Sequence, residues 1–316
     1  MSERPSSLDG SVIVTGACGR LGRLLVRALH REIGVIALDR REALGFPEDV
    51  EHQRLDLRSK RVREVFRRDV RALVHLGVMH DPSRSAEEHH TFNMLSVQQL
   101  FECAEQFRVP KVVVLSSANV YGPRPDNPQL LQEDAPLLAG GRFSDIRDLV
   151  ELDMSTQSFL WRNPDTETVI LRPSHILGTV RNAPSNYLRL KRVPTLLGFD
   201  PMVQVVHQAD VVRALRLALK PGVRGMFNVA GPPPVSLSRA IELLGRTPMP
   251  IPHGAARFVV DRLFRWRVSS FPAPELDFIR YVCMVDDSRA RRVLNYAPEY
   301  DLAETLRAVD AERWVD

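Results

Sequence analysis

The residues best suited to hold a phosphate group lie in one short segment, residues 15–22, with the sequence TGACGRLG. The segment follows a β-branched apolar run and precedes an amphipathic helical pattern. In that setting Gly16 permits a tight turn, Gly19 lets the backbone approach a pyrophosphate, and Gly22 lets the helix pack on the strand. The helix N-terminus would present N–H groups and the positive end of its dipole to the phosphates. The segment therefore predicts a dinucleotide site.

A carboxylate, Asp39, ends the second apolar run of the chain. A carboxylate at this place accepts hydrogen bonds from the ribose hydroxyls of the adenosine half and repels a 2′-phosphate, which favours NAD over NADP. Arg40 and Arg41 follow directly, and an arginine there can hold a 2′-phosphate. We therefore predict NAD as the cofactor and leave NADP open.

The elements that position these residues alternate along the first part of the chain. Apolar runs predict strands at 11–15, 34–39, 72–76, 111–116, 168–171 and 203–206, and a long helical pattern covers about 86–107. Continuous apolar strands that alternate with helices are typical of a parallel sheet covered on both faces. We predict an α/β fold, a doubly wound, Rossmann-type parallel sheet with a small, mostly helical C-terminal lobe.

The domain division predicted from these patterns places the dinucleotide-binding domain in residues 1–175. Residues 176–316 form the substrate-side lobe, with segments at about 203–230 returning to the sheet. Residues 178–198 hold two prolines and little periodicity, so we expect an irregular segment there.

Composition limits the function classes. The chain has 43 Lys and Arg against 39 Asp and Glu, and the basic residues form no long run, so we expect no nucleic-acid partner. No apolar run is long enough to span a bilayer. Residues 1–10 are polar, so we expect no signal peptide, and the three scattered cysteines lead us to expect a cytoplasmic protein. A basic amphipathic stretch, 257–267, could touch a membrane or a diphosphate, but we favour a helix of the lobe and expect no membrane contact.

Several motifs make the chain similar to one family. The spacing Thr-Gly-x-x-Gly-x-x-Gly resembles the short-chain dehydrogenase/reductase superfamily, and further segments resemble its extended, NAD-dependent epimerase/dehydratase branch over nearly the whole chain. Those segments are LDLR at 55–58, VHLG at 74–77, Asn93, SSANVYG at 116–122, LRPSHILG at 171–178, VVHQADV at 205–211 and FNVAG at 227–231. The resemblance implies cofactor contacts at Gly16, Cys18, Gly19, Arg20, Leu21, Gly22, Asp39, Arg40, Asp56, Leu57, Leu76, Gly77, Asn93, Arg147, Pro173 and Ser174. It also implies a homodimer paired through the helix from Ala86 and the helix that bears Phe143.

The chain departs from the family at its catalytic pair. The branch normally carries Tyr-x-x-x-Lys, in which the tyrosine exchanges a proton with a substrate hydroxyl and the lysine holds the nicotinamide ribose. Alignment through Glu133 and Glu151 places the pair on Phe143 and Arg147, and residues 122–186 contain no tyrosine. Phenylalanine cannot relay a proton, and arginine stays protonated, so another group must move the proton if hydride transfer occurs.

Few residues could replace that pair. Ser117 matches the substrate-orienting serine of the family, and we place the substrate near Ser117, Asn119, Arg189 and Arg192, the two arginines as phosphate ligands. Among the possible catalytic replacements we favour His175, because the resemblance places it at a loop on the nicotinamide side and because histidine titrates near neutral pH. The alternative for each candidate is a structural role, a helix cap or exposure to solvent. Further proton carriers that we consider are Asp145, Asp148, His75, His80 and Tyr121. The spacing of His80, His89 and His90 matches no compact ligand set, so we predict no metal site.

Three hypotheses stay open. The first is an atypical oxidoreductase or isomerase of the epimerase/dehydratase type that acts on a nucleotide sugar or a similar hydroxylated small molecule. The second is a catalytically inactive protein that senses NAD(P) or acts as a scaffold, which the Phe143 and Arg147 substitutions favour. The third is a reductase of a hydrophobic or steroid-like alcohol or ketone.

Overall fold

A computed structural model gives the structure of the protein. It describes residues 10–43, 45–76, 85–141, 144–180, 182–252, 280–281 and 283–314. The strands are β1 Ser11–Thr15, β2 Gly34–Asp39, β3 Glu51–Arg54, β4 Val70–His75, β5 Lys111–Leu115, β6 Glu167–Pro173, β7 His175–Leu177, β8 Arg192–Leu196, β9 Met202–Val203, β10 Val205–His207, β11 Gly225–Val229, β12 Val235–Ser236 and β13 Thr247–Ile251. The helices are α1 Arg20–Leu29, α2 Val62–Phe66, α3 Ala86–Gln106, α4 Ser144–Arg162, α5 Ala183–Arg189, α6 Gln208–Ala218, α7 Leu237–Leu243, α8 Ser288–Leu294 and α9 Leu302–Arg307.

Seven strands form one sheet in the order β11-β6-β5-β4-β1-β2-β3. From β6 to β3 each neighbouring pair is parallel. The chain runs outward from β1 to β3 and then crosses back to β4, so the strand order reverses between β1 and β4. This is the topological switch point at which doubly wound sheets bind their ligands. The predicted fold class is confirmed.

Two compact units make up the chain, and each has its own core. Unit 1 contains residues 1–116, 144–172 and 212–227, and unit 2 contains 117–143, 173–211 and 228–316. In unit 1 the apolar residues of the central strands pack against α2, α3 and α4, with Ile13 and Leu73 fully buried. In unit 2 one cluster forms around Leu177, Val193 and Ile241.

The span 203–230, expected to return to the sheet, divides between the two units. Strand β11 joins the seven-stranded sheet, whereas β10 pairs with β7 in a separate parallel sheet of unit 2. The irregular segment expected at 178–198 is wrong, because helix α5 and strand β8 lie there. A proline occupies the first turn of α5, where its missing N–H costs nothing, and the Asn182 side chain caps the helix by accepting from the Ser185 N–H.

Candidate functional site

The glycine turn connects β1 to α1 at the switch point of the sheet. Gly16 has a φ of +72°, in the left-handed region that favours glycine, and its N–H donates to the Leu38 carbonyl at 3.0 Å. A Cβ on Gly22 would lie 2.6 Å from the Ala17 oxygen and would also collide with the Gly16 oxygen. Gly19 caps α1 without a side chain, so the first turn, which contains Arg20 and Leu21, opens on backbone N–H groups. The turn thus has the geometry of an anion cradle.

Asp39, the last residue of β2, is a buried carboxylate that receives hydrogen bonds from both sides. Its Oδ2 accepts from the Cys18 N–H at 2.9 Å and from Arg41 Nη2 at 2.8 Å. Its Oδ1 accepts from the Arg41 N–H and Arg41 Nε, each at 2.9 Å. Burial acts to raise the pKa of Asp39, but the hydrogen bonds and charge of Arg41 outweigh it and lower that pKa below its usual value. Asp39 is therefore ionised and paired.

A second carboxylate of unit 1, Asp56, has the same arrangement. Asp56 and Leu57 follow β3, and the Asp56 carboxylate accepts from the Arg58 N–H at 2.9 Å, from Arg58 Nε at 3.0 Å and from Arg58 Nη2 at 2.7 Å. The guanidinium carbons of Arg58 and Arg40 lie 4.9 and 5.9 Å from the centre of the Phe92 ring. Two Asp-x-Arg clasps, Asp39–Arg41 and Asp56–Arg58, thus follow β2 and β3.

The end of β4 meets the glycine turn. A Cβ on Gly16 would lie 3.6 Å from the Leu76 Cβ, which places Leu76 directly beside the turn. At the last residue of β4, His75 Nδ1 lies 2.7 Å from the Thr15 hydroxyl. Burial lowers the pKa of His75 to about 4, so this imidazole is neutral near pH 7. Gly77 and His80 lie outside the described residues.

Helices α3 and α4 carry a polar network beside Arg147, the residue that the sequence analysis predicts at the place of the family's lysine. Arg147 Nε lies 3.8 Å from Glu151 Oε1, which is too long for a hydrogen bond. Glu151 Oε2 lies 3.6 Å from His90 Nε2, while His90 Nδ1 lies 2.7 Å from Asp148 Oδ1. The buried Asp148 also accepts from Asn93 Nδ2 at 2.8 Å. Asn93, which is predicted to contact the cofactor, is therefore held by this network, and Arg147, predicted to do the same, lies beside it.

Phe143 and the side chain of Asp145 lie outside the described residues. Sequence analysis considered His90 only as a possible metal ligand and missed its contact with the buried Asp148. Asp148 itself is visible in the sequence directly after Arg147, but nothing in the sequence indicates that it contacts a residue of α3.

Sequence reasoning missed an ion pair that joins three segments of unit 1. Arg172 at the end of β6 donates from Nε and Nη2 to the two oxygens of Asp153 on α4, at 2.9 and 2.7 Å. Ser116, directly before Ser117, donates its hydroxyl to Asp153 Oδ2 at 2.6 Å. The pair therefore fixes the end of β5, the end of β6 and helix α4 against one another.

In unit 2, Ser117 and Asn119 form a short capped turn. The Ser117 hydroxyl oxygen accepts from the Asn119 N–H at 3.1 Å and caps a 3-10 helix at Ala118–Tyr121. The Tyr121 side chain is buried, and its hydroxyl donates to Asn228 Oδ1 at 2.8 Å. A tyrosine that is committed to an internal amide is unsuited to carry protons to a substrate, so the structure favours a structural role for Tyr121.

Pro173 ends β6, and the N–H of the buried Ser174 donates to the Val229 carbonyl at 2.9 Å. His175 begins β7, and burial lowers its pKa to about 4. A general base works best with a pKa near the operating pH, so this environment weakens His175 as a replacement for the missing tyrosine.

The two arginines predicted to bind substrate phosphate differ in their contacts. Arg189 donates from Nε to the Val309 carbonyl at 2.8 Å, from Nη1 to Asn186 Oδ1 at 2.8 Å and from Nη2 to the Gly178 carbonyl at 2.7 Å. These contacts hold separate stretches of unit 2 together. Arg192 is the first residue of β8 and is exposed.

Among the described residues no group of three or more His, Cys, Asp and Glu side chains is arranged to hold a metal ion. The same part of the chain contains no helix that is both long and apolar enough to cross a bilayer. Residues 257–267 lie outside the described residues.

Fold, switch point and glycine turn together define a dinucleotide-binding protein of the doubly wound class. The chain belongs to the NAD dependent epimerase/dehydratase family, whose model matches residues 12–230. An uncharacterised protein of Mycobacterium tuberculosis, Rv0501, is 29% identical over 311 residues, with 93% of this chain and 82% of the relative covered. Protein YeeZ of Escherichia coli is 28% identical over 152 residues, with 48% of this chain and 51% of YeeZ covered.

Solved structures of low sequence identity share the fold. UDP-glucuronic acid 4-epimerase from Bacillus cereus, in complex with UDP-glucuronic acid and NAD, superposes with a TM-score of 0.74 at 18% identity and covers 97% of this chain and 100% of that chain. UDP-glucose 4-epimerase from Thermotoga maritima, with UDP-glucose, gives a TM-score of 0.73 at 17% identity and covers 96% of this chain and 98% of that chain. MoeE5, in complex with UDP-glucose and NAD, gives a TM-score of 0.74 at 23% identity and covers 96% of this chain and 99% of that chain.

Proposed function

We propose that the protein binds NAD through unit 1 and is an atypical oxidoreductase or isomerase of a nucleotide sugar or a similar hydroxylated small molecule. The glycine turn carries this proposal, because a Cβ on Gly22 has no room and because Gly19 caps α1 without a side chain. The pyrophosphate would rest on the N-terminus of α1, and Asp39 would receive the adenosine ribose. Bound NAD supplies a hydride acceptor at its nicotinamide.

The substrate assignment rests on the family and on the relatives of known structure, which are named for UDP-sugars and crystallised with them. In this chain Ser117 would orient a substrate hydroxyl, and the exposed Arg192 would pair with a phosphate of the nucleotide part. Arg147 would donate hydrogen bonds to ribose hydroxyls but would keep its own proton. The proton relay therefore differs from that of tyrosine-bearing relatives.

A second candidate is a protein that binds NAD without turning over a substrate. The substitution of both relay residues, with Phe143 and Arg147 in their places, favours it directly. The half-buried His175, whose pKa is lowered to about 4, and the internally bonded Tyr121 favour it as well, because neither is suited to exchange protons with a substrate.

One experiment tests the proposal and separates the two candidates. NADH binding is followed by fluorescence titration. Turnover of UDP-glucose and UDP-glucuronic acid is followed both by NAD reduction, which detects an oxidoreductase, and by chromatography of the sugar products, which detects an isomerase that returns the hydride and leaves no net NADH. The native chain is compared with the double variant Phe143→Tyr/Arg147→Lys, which restores the family pair. A gain in turnover of about 10²-fold or more in the double variant supports a site that lacks only its usual relay. Binding without turnover in both forms supports the sensor, and absence of dinucleotide binding refutes both.

We further propose a homodimer paired through α3 and α4. Both helices present apolar side chains to solvent, with Leu95 on α3 and Met154 and Trp161 on α4, and Trp161 is 73% exposed. Large exposed apolar side chains on neighbouring helices mark contact surfaces. Light scattering of Trp161→Asp should report a monomer, whereas Leu197→Asp, which alters an exposed leucine of unit 2, should leave a dimer intact. A native chain that is monomeric at micromolar concentration contradicts this proposal.

A further inference from the structure

Glu151 lies between two side chains that can each carry a positive charge. Its Oε1 is 3.8 Å from Arg147 Nε and its Oε2 is 3.6 Å from His90 Nε2, and both distances are too long for a hydrogen bond. The Glu151 and Arg147 side chains are 41% and 44% exposed, so both can change rotamer without disturbing the core. A carboxylate that two cations share holds each of them less tightly than a carboxylate that serves one.

The imidazole of His90 is held in one orientation by a buried carboxylate. Its Nδ1 lies 2.7 Å from Oδ1 of Asp148, whose side chain is 3% exposed and whose Oδ2 accepts from Asn93 Nδ2 at 2.8 Å. An ionised carboxylate only accepts hydrogen bonds, so Nδ1 carries a proton and Nε2 is the nitrogen that gains or loses one. Neutral His90 presents a lone pair to Glu151 and repels it, whereas protonated His90 presents an N–H and attracts it.

The charged groups that face His90 come from α3 and α4. Those on the described residues are three carboxylates and one guanidinium: Glu87, Asp148, Glu151 and Arg147. His89 is next in sequence, but consecutive residues of a helix do not face each other. Helix α2 also packs against α3, and its Arg63 contacts Gln106 at the opposite end of α3. Of the three carboxylates, Glu151 is the one placed between His90 and Arg147.

Arg147 lies in an unfavourable electrostatic position. It belongs to the first turn of α4, where the helix dipole presents its positive end. Its i, i+4 pair with Glu151 has the weaker orientation, because the cation precedes the anion along the helix. Arg147 Nε is shielded from solvent and makes no hydrogen bond to any described residue. The guanidinium is therefore loosely held and available to a ligand that offers acceptor oxygens.

We propose that Glu151 is a positioning residue whose hold on Arg147 is set by the protonation of His90, so that acid frees Arg147 for the dinucleotide. The inference rests on the proposed dinucleotide binding, in which Arg147 donates to ribose hydroxyls. At a pH at which His90 is neutral, Glu151 pairs with Arg147. At a pH at which His90 is protonated, the imidazolium draws Glu151 towards α3, and Arg147 is free to turn to the ribose. Because such coupling is reciprocal, dinucleotide binding takes up protons.

Fluorescence titrations with NADH at pH 6 and pH 8, at constant ionic strength, test the proposal in the full chain. The native chain should bind NADH about two- to threefold more tightly at pH 6, since the contact given up is an exposed and therefore weak i, i+4 pair. His90→Gln keeps an amide donor for Asp148 but does not titrate, so its affinity should equal that of the native chain at pH 8 under both conditions. Glu151→Gln removes the shared charge, so its affinity should equal that of the native chain at pH 6 under both conditions.

The matched control is His30→Gln, which removes another histidine that contacts a carboxylate, that of Asp49 at 3.0 Å. It should keep the native pH dependence. Circular dichroism at both pH values shows whether each variant is folded. Glu151→Gln changes an exposed side chain, so it tests the proposal even where His90→Gln fails to fold.

Calorimetry provides an independent readout. The heat of NADH binding, measured at pH 6.5 in buffers of different ionisation enthalpy, gives the number of protons taken up. The native chain should take up a fraction of a proton, and His90→Gln and Glu151→Gln should take up none. Equal NADH affinities of the native chain at pH 6 and pH 8, or a pH dependence that survives in either variant, overturns the inference and leaves the proposed function standing. Failure to bind NADH at either pH refutes the proposed function itself.

Discussion

Arg172 and Asp153 form a bidentate ion pair whose side chains are 1% and 0% exposed. A buried pair of this kind gains little over apolar residues of similar size, but removing one partner leaves an uncompensated charge in the core. Because Ser116 also bonds to Asp153, the pair ties the segment before Ser117 to α4 and to the end of β6.

Asp153→Leu should therefore destabilise unit 1 strongly, by about 3–5 kcal/mol, because it strands the Arg172 guanidinium. The double variant Asp153→Leu/Arg172→Met should recover most of that loss. Urea unfolding followed by circular dichroism measures both free energies of unfolding. A double variant that is as unstable as Asp153→Leu would contradict the electrostatic explanation and would indicate a packing defect at position 153.

Gly22→Ala should remove dinucleotide binding. The added methyl carbon would lie 2.6 Å from the Ala17 oxygen, so the turn and the start of α1 must separate, and the phosphate cradle would be displaced. Calorimetric titration with NADH measures the effect, and unfolding experiments measure the accompanying loss of stability. Gly141→Ala is a suitable control, because a Cβ there would meet no described atom within 4 Å. Retention of full affinity in Gly22→Ala would place the dinucleotide elsewhere.

Much of the fold was accessible from the sequence, because central strands of a parallel sheet are buried on both faces and form continuous apolar runs. The glycine turn and Asp39 could also be predicted, because each lies at the end of one of these apolar strands and the turn requires glycine for its backbone geometry. Strand β3 escaped prediction, since its residues EHQR are polar at the edge of the sheet. Helix α5 also escaped, because its proline reads as a helix breaker unless its place in the first turn is known.

The details of the site that escaped prediction are contacts between side chains. The spacing of Asp39 and Arg41 does not show that the two side chains form hydrogen bonds with each other. The same i, i+2 spacing occurs at Asp56 and Arg58, where the same contact forms. The pairing of Asp153 with Arg172 joins a helix to a strand and has no local signature. Such contacts depend on rotamers and on tertiary packing, which residue types alone do not encode.

Tyr121→Phe should cost about 1 kcal/mol of stability and leave dinucleotide affinity unchanged, because the lost group is a buried hydroxyl bonded to Asn228. The expected result separates a structural tyrosine from a catalytic one. Thermal unfolding and NADH titration of the variant provide the two readouts, and turnover with a UDP-sugar, where the native chain shows it, provides a third. A loss of turnover of 10²-fold or more with stability retained would assign proton transfer to Tyr121.

Stability should fall on acidification because His75 is buried as a neutral imidazole with a pKa of about 4. The unfolded chain binds a proton at a pKa of about 6.5, so below that pH the unfolded state takes up more protons than the folded state. The resulting loss in the free energy of unfolding is absent above pH 6.5, grows as the pH falls, and reaches on the order of 3 kcal/mol near pH 4. His175, whose pKa is also lowered to about 4, should add a further loss of stability on acidification.

His75→Asn tests this directly, since its side-chain amide offers both a donor and an acceptor to replace Nδ1 as the partner of the Thr15 hydroxyl, and the amide does not titrate. Urea unfolding at intervals between pH 8 and pH 4.5 should give a shallower decline for the variant than for the native chain. Glu42→Gln, which removes a carboxylate from the loop after β2, serves as the control for a general effect of altered charge. Parallel pH profiles of the native chain and His75→Asn would show that His75 is protonated in the folded state and would contradict the expected burial of a neutral ring.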